Sequence, residues 1–547
     1  MNDSTRPAML ISGGRIFTGE RGSPWADAMV VRGSRISFVG DAAEAEAHAG
    51  ADATRLDVTG RVVLPGFVDG HTHLVAAGEA MLRAPLTDAA DLAEIQHRIQ
   101  AWAKANPDAP RVLGRGWLFS AVPGGRPLRQ MLDEVVADRP VYLDANDYHS
   151  VWVNSAALAE LGITRDTPDP IGGRIVRDEG GEPTGHLEET AAHQLAWEFL
   201  AAQSTDDDRD RALDAATTAY LSSGVTCVVD MALDEHGLAA MVRAERAGRL
   251  DLRVVAHWLI HRRADPAEHL AQVRRAAELA KAHRSERLRV TGVKFVVDGV
   301  IDGCTASLLE PYANGGNADP IWDLETLAPA VAAADAAGLQ VALHAIGDKA
   351  VRIALDALEH ARRVNGPPAT GDRRHRIEHL EYVDPADVPR LAELGVTASM
   401  QPVHADPAIR DNWAAMLGDA RAERGFAWPE MTAAGARLAF GTDAPTAPHP
   451  PLPNMFIAST RRSALRPELP AQQPHFALPL VEAVAHATAD SAWACRAENA
   501  LGRLRPGMLA DFVVLDGDPF VASPDSLLET AVVHTTVNGR AVWQAAL

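Results

Sequence analysis

His71 and His73 stand one residue apart at the end of an apolar run that begins Leu64-Pro65-Gly66-Phe67-Val68. Side chains alternate along a strand, so the two imidazoles project from one face. Paired imidazoles at a strand end suit a transition metal such as zinc. With 21 histidines in 547 residues, about one His-x-His arises by chance, so the pair needs support from elsewhere. Four further groups supply it. Lys294 lies inside the apolar run 290–295, His344 ends the run 341–344, His379 ends 376–379 and Asp443 ends 439–443. Singly, each has a plain structural reading. A strand-end histidine can be merely hydrogen-bonded, Asp443 can cap a turn before Pro445, and Lys294 can pair with Asp298. As one ordered series they read as a metal site.

The chemistry follows from the residue types. Neutral imidazoles bind a divalent cation, which acidifies a coordinated water and polarises a carbonyl. Asp443 beside that water can take its proton as general base. A lysine buried beside cations is disfavoured as an ammonium. Reaction of its neutral amine with CO2 would give a carbamate on Lys294, an oxygen ligand able to bridge one ion to a second. A competing motif is His375-Arg376-Ile377-Glu378-His379, which matches the His-x-x-Glu-His of inverted zinc peptidases. That mechanism needs a helix, whereas the following Leu380-Glu381-Tyr382-Val383-Asp384-Pro385 favours a strand.

Certain elements must position these groups. Residues 8–63 read as short β-branched strands with Gly and Ser turns, and residues 511–542 have the same character. The two ends, 1–63 and 496–547, are expected to form one small composite β-sandwich. Between them, residues 64–495 alternate apolar strands with alanine-rich helices. Strands are expected at 62–68, 225–231, 252–260, 290–297, 339–345, 376–382, 396–400 and 438–441. Eight fully apolar strands joined by helices predict an α/β fold, a (β/α)8 TIM barrel. The alternative is an open doubly wound sheet, but no Gly-x-Gly-x-x-Gly follows the first strand. Residues 75–200 break the rhythm and carry Trp102, Trp117, Trp152 and Trp197. They read as an insertion after the first barrel strand, expected to cap the pocket and help select substrate.

Composition excludes several classes. A net charge of −21 argues against nucleic acid or an anionic membrane as partner. Three dispersed cysteines, Cys227, Cys304 and Cys495, exclude a disulfide scaffold and a zinc finger and fit a reducing compartment. Residues 1–15 carry no signal pattern and no apolar run reaches the ~18 residues of a membrane span, so a cytoplasmic protein is expected. Of the 52 basic residues only Lys104, Lys281, Lys294 and Lys349 are lysine, which makes Lys294 inside a strand conspicuous. A homodimer is expected as the commonest assembly.

Further segments carry a family resemblance: Asp147 to Ser155, Gly181-Glu182-Pro183-Thr184-Gly185, Lys294 to Gly299, His344-Ala345-Ile346-Gly347-Asp348, Gln401-Pro402-Val403-His404, Gly441 to Pro445 and Gly502 to Leu515. With the His71–His73 segment, they make the chain resemble the amidohydrolase superfamily, and within it the amidohydrolase family 3 group that includes N-substituted formamide deformylases. The resemblance implies one or two divalent metals, usually zinc, on His71, His73, carboxylated Lys294, His344, His379 and Asp443. It implies hydrolysis of a C–N bond in an amide, N-formyl or cyclic amide small molecule, with Asp443 as base. Ester or carbamate hydrolysis and an inactive barrel scaffold are the alternatives. Trp117, His149, Asp298, Gln401 and His404 are candidates to contact substrate or orient ligands. Two positions depart from the family pattern. Tyr148 replaces the usual glycine between Asp147 and His149, and Leu118 follows Trp117 where an acidic residue is common.

Overall fold

The computed structural model describes residues 7–545 apart from 21, 23, 147–149, 171–172, 369–370 and 409–411. The chain divides into two compact units, Met1–Leu74 with Thr217–Leu547, and Val75–Ala216.

Eight parallel strands build the centre of the first unit. In chain order they are β1 (Phe67–Thr72), β2 (Val225–Leu233), β3 (Arg253–Leu259), β4 (Leu288–Val296), β5 (Gln340–Ala345), β6 (Arg376–His379), β7 (Thr397–Met400) and β8 (Arg437–Phe440). Each pairs with its neighbour in sequence. Most of their residues are buried, as expected of strands covered on both faces. The helices between them turn one apolar stripe inward. In Asp348–Asn365 the buried residues Val351, Ala354, Leu355 and Leu358 recur every three or four positions. The ring closes where β8 meets β1. The Asp443 N–H donates to the His71 carbonyl at 2.7 Å, and the His73 N–H donates to the Ala444 carbonyl at 2.9 Å. Gly441 permits that approach, since a Cβ there would lie 2.4 Å from the His71 nitrogen.

The expected first strand, 62–68, divides in two. Val62–Pro65 belongs to a different sheet, and the barrel strand starts at Phe67. The break falls at Gly66, whose N–H donates to the Asp511 carbonyl at 3.0 Å. A side chain at Gly66 would meet Thr226 at 2.3 Å, so the chain can pass from one sheet to the other only with glycine here.

Strands from both ends of the chain lie in one sheet. Arg540–Gln544, Val532–Val537, Phe512–Leu515, Val62–Pro65, Met9–Phe17, Trp25–Arg32 and Arg35–Gly40 follow one another across an eight-stranded sheet, with Thr54–Asp57 also on Met9–Phe17. The junction is the antiparallel pair Val62–Pro65 with Phe512–Leu515. Ile11, Met29, Val63, Phe512 and Val514 pack on one face of it, and Leu10, Ala28 and Val30 on the other.

The second unit holds a six-stranded sheet ordered Gly173–Arg177, Pro183–Glu189, Ser150–Val153, Val141–Ala145, Val112–Trp117 and Ala84–Pro85. Asp91 caps the helix Leu92–Ala105 by accepting from the Glu94 N–H at 2.9 Å. This unit extends past residue 200, the end expected from the sequence, to Ala216 inside the helix Asp206–Ser222. Among the described residues no helix is long and apolar enough to cross a membrane.

Candidate metal centre

Six side chains meet at the carboxyl ends of the barrel strands. His71 and His73 come from β1, Lys294 from β4, His344 from β5, His379 from β6, and Asp443 follows β8. His73 Nε2 lies 3.0 Å from Asp443 Oδ1, and His71 Nε2 lies 3.2 Å from the same oxygen. The ring of His379 is 4.9 Å from that of His71 and 4.3 Å from that of His344.

Local backbone geometry aims two of these groups. His379 and Asp443 both adopt left-handed conformations, with φ of 76° and 60°. A non-glycine residue there is disfavoured by roughly 1–3 kcal/mol and persists where the surroundings hold it. Arg376 and Glu378 face the barrel interior, so simple alternation would turn His379 outward. The left-handed turn swings it back to the strand mouth. His375, which alternation would place beside His379, instead bonds Asp335 at 3.0 Å. The segment is a strand and its two histidines diverge, so the inverted-peptidase geometry is absent.

Burial sets the charge states. It lowers the pKa of His71, brings His344 to about 3, and holds His379 well below the usual imidazole range. All three are therefore neutral donors near pH 7. Burial also brings the Lys294 amine down to about 8.

Glu378 sits behind the centre, fully buried on β6. Its Oε2 lies 2.7 Å from His71 Nδ1, and Arg376 bonds its two oxygens at 2.5 and 3.0 Å. Against the opposing push of burial, Arg376 and then His71 keep this carboxyl well below its ordinary value. A carboxylate only accepts, so His71 Nδ1 carries the proton and Nε2 carries a lone pair. That lone pair faces Asp443 Oδ1, and His71 Nε2 has no hydrogen-bond partner. Two electron-rich atoms 3.2 Å apart repel unless a cation joins them. His379 Nδ1 is likewise buried and unpartnered. The nitrogen and oxygen donors thus fit a divalent transition metal, and those of His71, His73 and Asp443 lie within 4.8 Å of one another.

The remaining sequence candidates fall in different places. His404 Nδ1 lies 2.9 Å from Glu381 Oε1, and its Nε2 is 3.7 Å from Asp443 Oδ2. His379, Glu381 and His404 form a second cluster whose ligand atoms lie within 4.8 Å. Asp298 is buried behind His344 and accepts from the N–H groups of Ser307, Ile346 and Gly347 at 2.9–3.0 Å. It therefore braces the loop after β5. Gln401 follows β7 and is buried. Trp117 belongs to the second unit, where it is wholly buried against Trp152 and donates its indole N–H to the Leu143 carbonyl at 2.9 Å. Its place there is a packing one, set by the large apolar area of an indole. His149 lies outside the described residues. Sequence reasoning missed Glu378 and Glu381 as parts of the site. Their signal was present in the run Arg376-Ile377-Glu378-His379-Leu380-Glu381, which puts carboxylates on either side of a ligand histidine.

The model of the amidohydrolase family matches residues 55–543. The chain is 32% identical to the putative amidohydrolase YtcJ of Bacillus subtilis (strain 168), over 97% of this chain and 98% of that one. It is 29% identical to the N-substituted formamide deformylase of Arthrobacter pascens, over 97% of each. Among solved structures, an uncharacterized metal-dependent hydrolase from Pyrococcus furiosus is similar with a TM-score of 0.76 and 28% identity, covering 94% of this chain and 100% of that one. With this match spanning most of its length, the chain belongs to the amidohydrolase family.

Proposed function

We propose that the chain is a metal-dependent hydrolase that cleaves the C–N bond of a small amide, N-formyl amine or cyclic amide. The observation that carries this reading is the lone pair of His71 Nε2 facing Asp443 Oδ1 at 3.2 Å, with His73 on the same oxygen. His71, His73 and Asp443 would hold one ion, with zinc the best match to two imidazoles and a carboxylate. His344, His379 and Lys294 would complete the centre around a second. A bound ion supplies Lewis acidity, polarising the substrate carbonyl and acidifying water.

The chain's own groups do the rest. Glu378 fixes the ring and tautomer of His71. Asp443 Oδ1 is turned to the two histidines, which leaves Oδ2 to receive a proton from the attacking water. The same carboxyl then returns that proton to the departing amine nitrogen. The Lys294 amine, brought to about 8 by burial, is roughly one-tenth neutral at pH 7, far more than an ordinary lysine. Its nitrogen would bond the carbon of CO2 and lose a proton, leaving an anionic carbamate. C–N chemistry is favoured over other hydrolyses by the formamide deformylase relative.

The test is to purify the protein with and without bicarbonate, measure bound metal, and assay amine release from N-formyl and N-acyl amines. Zinc binding and amine release are expected. Absence of bound metal under both conditions would sink the reading.

A further inference from the structure

Gln401 follows β7 in an extended conformation, φ −119° and ψ 92°, so the alternation of the strand continues through it. Two residues earlier, Ser399 Oγ accepts from Arg376 inside the barrel at 2.7 Å. Gln401 therefore projects to the same inner face one layer nearer the mouth, flanked by the strands that carry His379 and Asp443. Its residue is 1% exposed, yet neither Oε1 nor Nε2 has a hydrogen-bond partner.

Other buried carboxamides behave differently. Gln340 pairs with His257 at 3.1 Å and with the Ala494 carbonyl at 2.8 Å. Asn454 accepts from the Val403 N–H at 2.7 Å and donates to the Gly441 carbonyl at 3.0 Å. Asn154 accepts from the Val141 N–H at 3.0 Å and donates to the Val136 carbonyl at 2.9 Å. Leaving both atoms of a buried amide unpaired costs stability, and such groups in native proteins are rare. A ligand that pairs with both must bring a donor and an acceptor together.

We infer that Gln401 is a specificity-determining residue that holds an amide substrate in its cis form, accepting its N–H through Oε1 and donating to its acyl oxygen through Nε2. The inference rests on the amide-hydrolase reading and narrows its substrate class to amides that keep an N–H. A secondary amide held cis, the form a cyclic amide already has, supplies one donor and one acceptor on one edge of a single planar group. An ester or an N,N-disubstituted amide supplies acceptors only and leaves Oε1 buried and unpaired. Sites built to bond a substrate N–H reject analogues lacking it far more strongly than apolar pockets reject a methyl group.

The experiment compares zinc-loaded wild type with Gln401→Leu and the nearly isosteric Gln401→Met. The probes are N-butylformamide, N-butyl-N-methylformamide and butyl formate, and the Tm of each protein is measured without substrate. Wild type is expected to favour the N–H amide over its N-methyl analogue by about 100-fold in kcat/KM. Both variants are expected to bring that ratio below about 10-fold by losing activity on the N–H amide alone. Their Tm is expected to equal or exceed wild type, because an unpaired amide has been removed. An unchanged ratio overturns the inference. So does a Tm lowered in both variants, since the amide is then paired within the protein. If wild type acts on none of the probes, the hydrolase reading fails for formyl compounds. The Tm comparison still decides whether the Gln401 amide is unpaired, and a lowered value overturns the inference there too.

Discussion

Glu378 Oε2 and His71 Nδ1 are 2.7 Å apart, both wholly buried, and their hydrogen bond decides which nitrogen of His71 is free to bind a cation. Replacing Glu378 by glutamine lets the amide donate as well as accept, so the tautomer is no longer fixed. Glu378→Gln is expected to weaken metal binding by about 10- to 100-fold, read by competition with a chromogenic chelator. Arg376→Met should do more, because it leaves the Glu378 carboxylate buried without its cation. A loss of about 3–5 kcal/mol is expected in denaturant unfolding.

In the proposed mechanism Asp443 serves as both ligand and proton carrier. Asp443→Asn keeps an oxygen near His71 and His73 but removes the basic carboxylate. The expectation is a drop in kcat of about 100-fold or more, from loss of general-base catalysis. The substrate KM should change far less. Steady-state kinetics on any amide substrate checks this, with metal content measured on the same sample.

The state of Lys294 can be read without turnover. Incubation with 13C-bicarbonate should give a carbamate carbon resonance in wild type that is absent from Lys294→Met. The variant should bind about one ion fewer, since an oxygen ligand able to bridge two ions has been removed.

Acid stability should depend on a group far from the metal centre. Asp335 accepts from Arg373 at 2.7 Å and Asn365 at 2.8 Å and pairs with His375 at 3.0 Å. Its own burial opposes ionisation, but these partners outweigh it and hold the carboxyl below its ordinary 3.8. A depressed folded pKa stabilises the native state above the unfolded value, and that stabilisation is lost as pH falls through 3.8 toward the folded value. Wild type should therefore lose stability below about pH 4, and Asp335→Asn should lose less over the same range. At pH 7 the variant should be about 1–3 kcal/mol less stable, as measured by urea unfolding.

The barrel and the candidate ligands were legible because strand ends are legible. Apolar runs closed by His71 or His344 state both the element and the direction of the side chain, whereas Asp443 lies beyond β8 in a left-handed conformation that the sequence does not announce. Glu378 and Glu381 were harder. The place of Glu381 depends on the left-handed turn at His379, φ 76°, which breaks the alternation that sequence reasoning relies on. The division at Gly66 was hidden for a related reason. Apolar residues continue across it, and only the approach of Thr226 shows where one sheet ends. Trp117 was singled out by its place in the family resemblance, and in the structure it packs in the second unit's core.

The closing seam of the barrel has a consequence for biosynthesis. His73 and Asp443 are 370 residues apart in sequence and adjacent in space. A nascent chain presents the first two ligands early and the last carboxylate only after most of the polypeptide has been made. If His71, His73 and Asp443 hold the proposed ion, tight capture would wait until the final strand docks on the first. From that moment the ion would bind the folded form in preference to the unfolded one and draw the equilibrium toward it, favouring chains whose two ends have met.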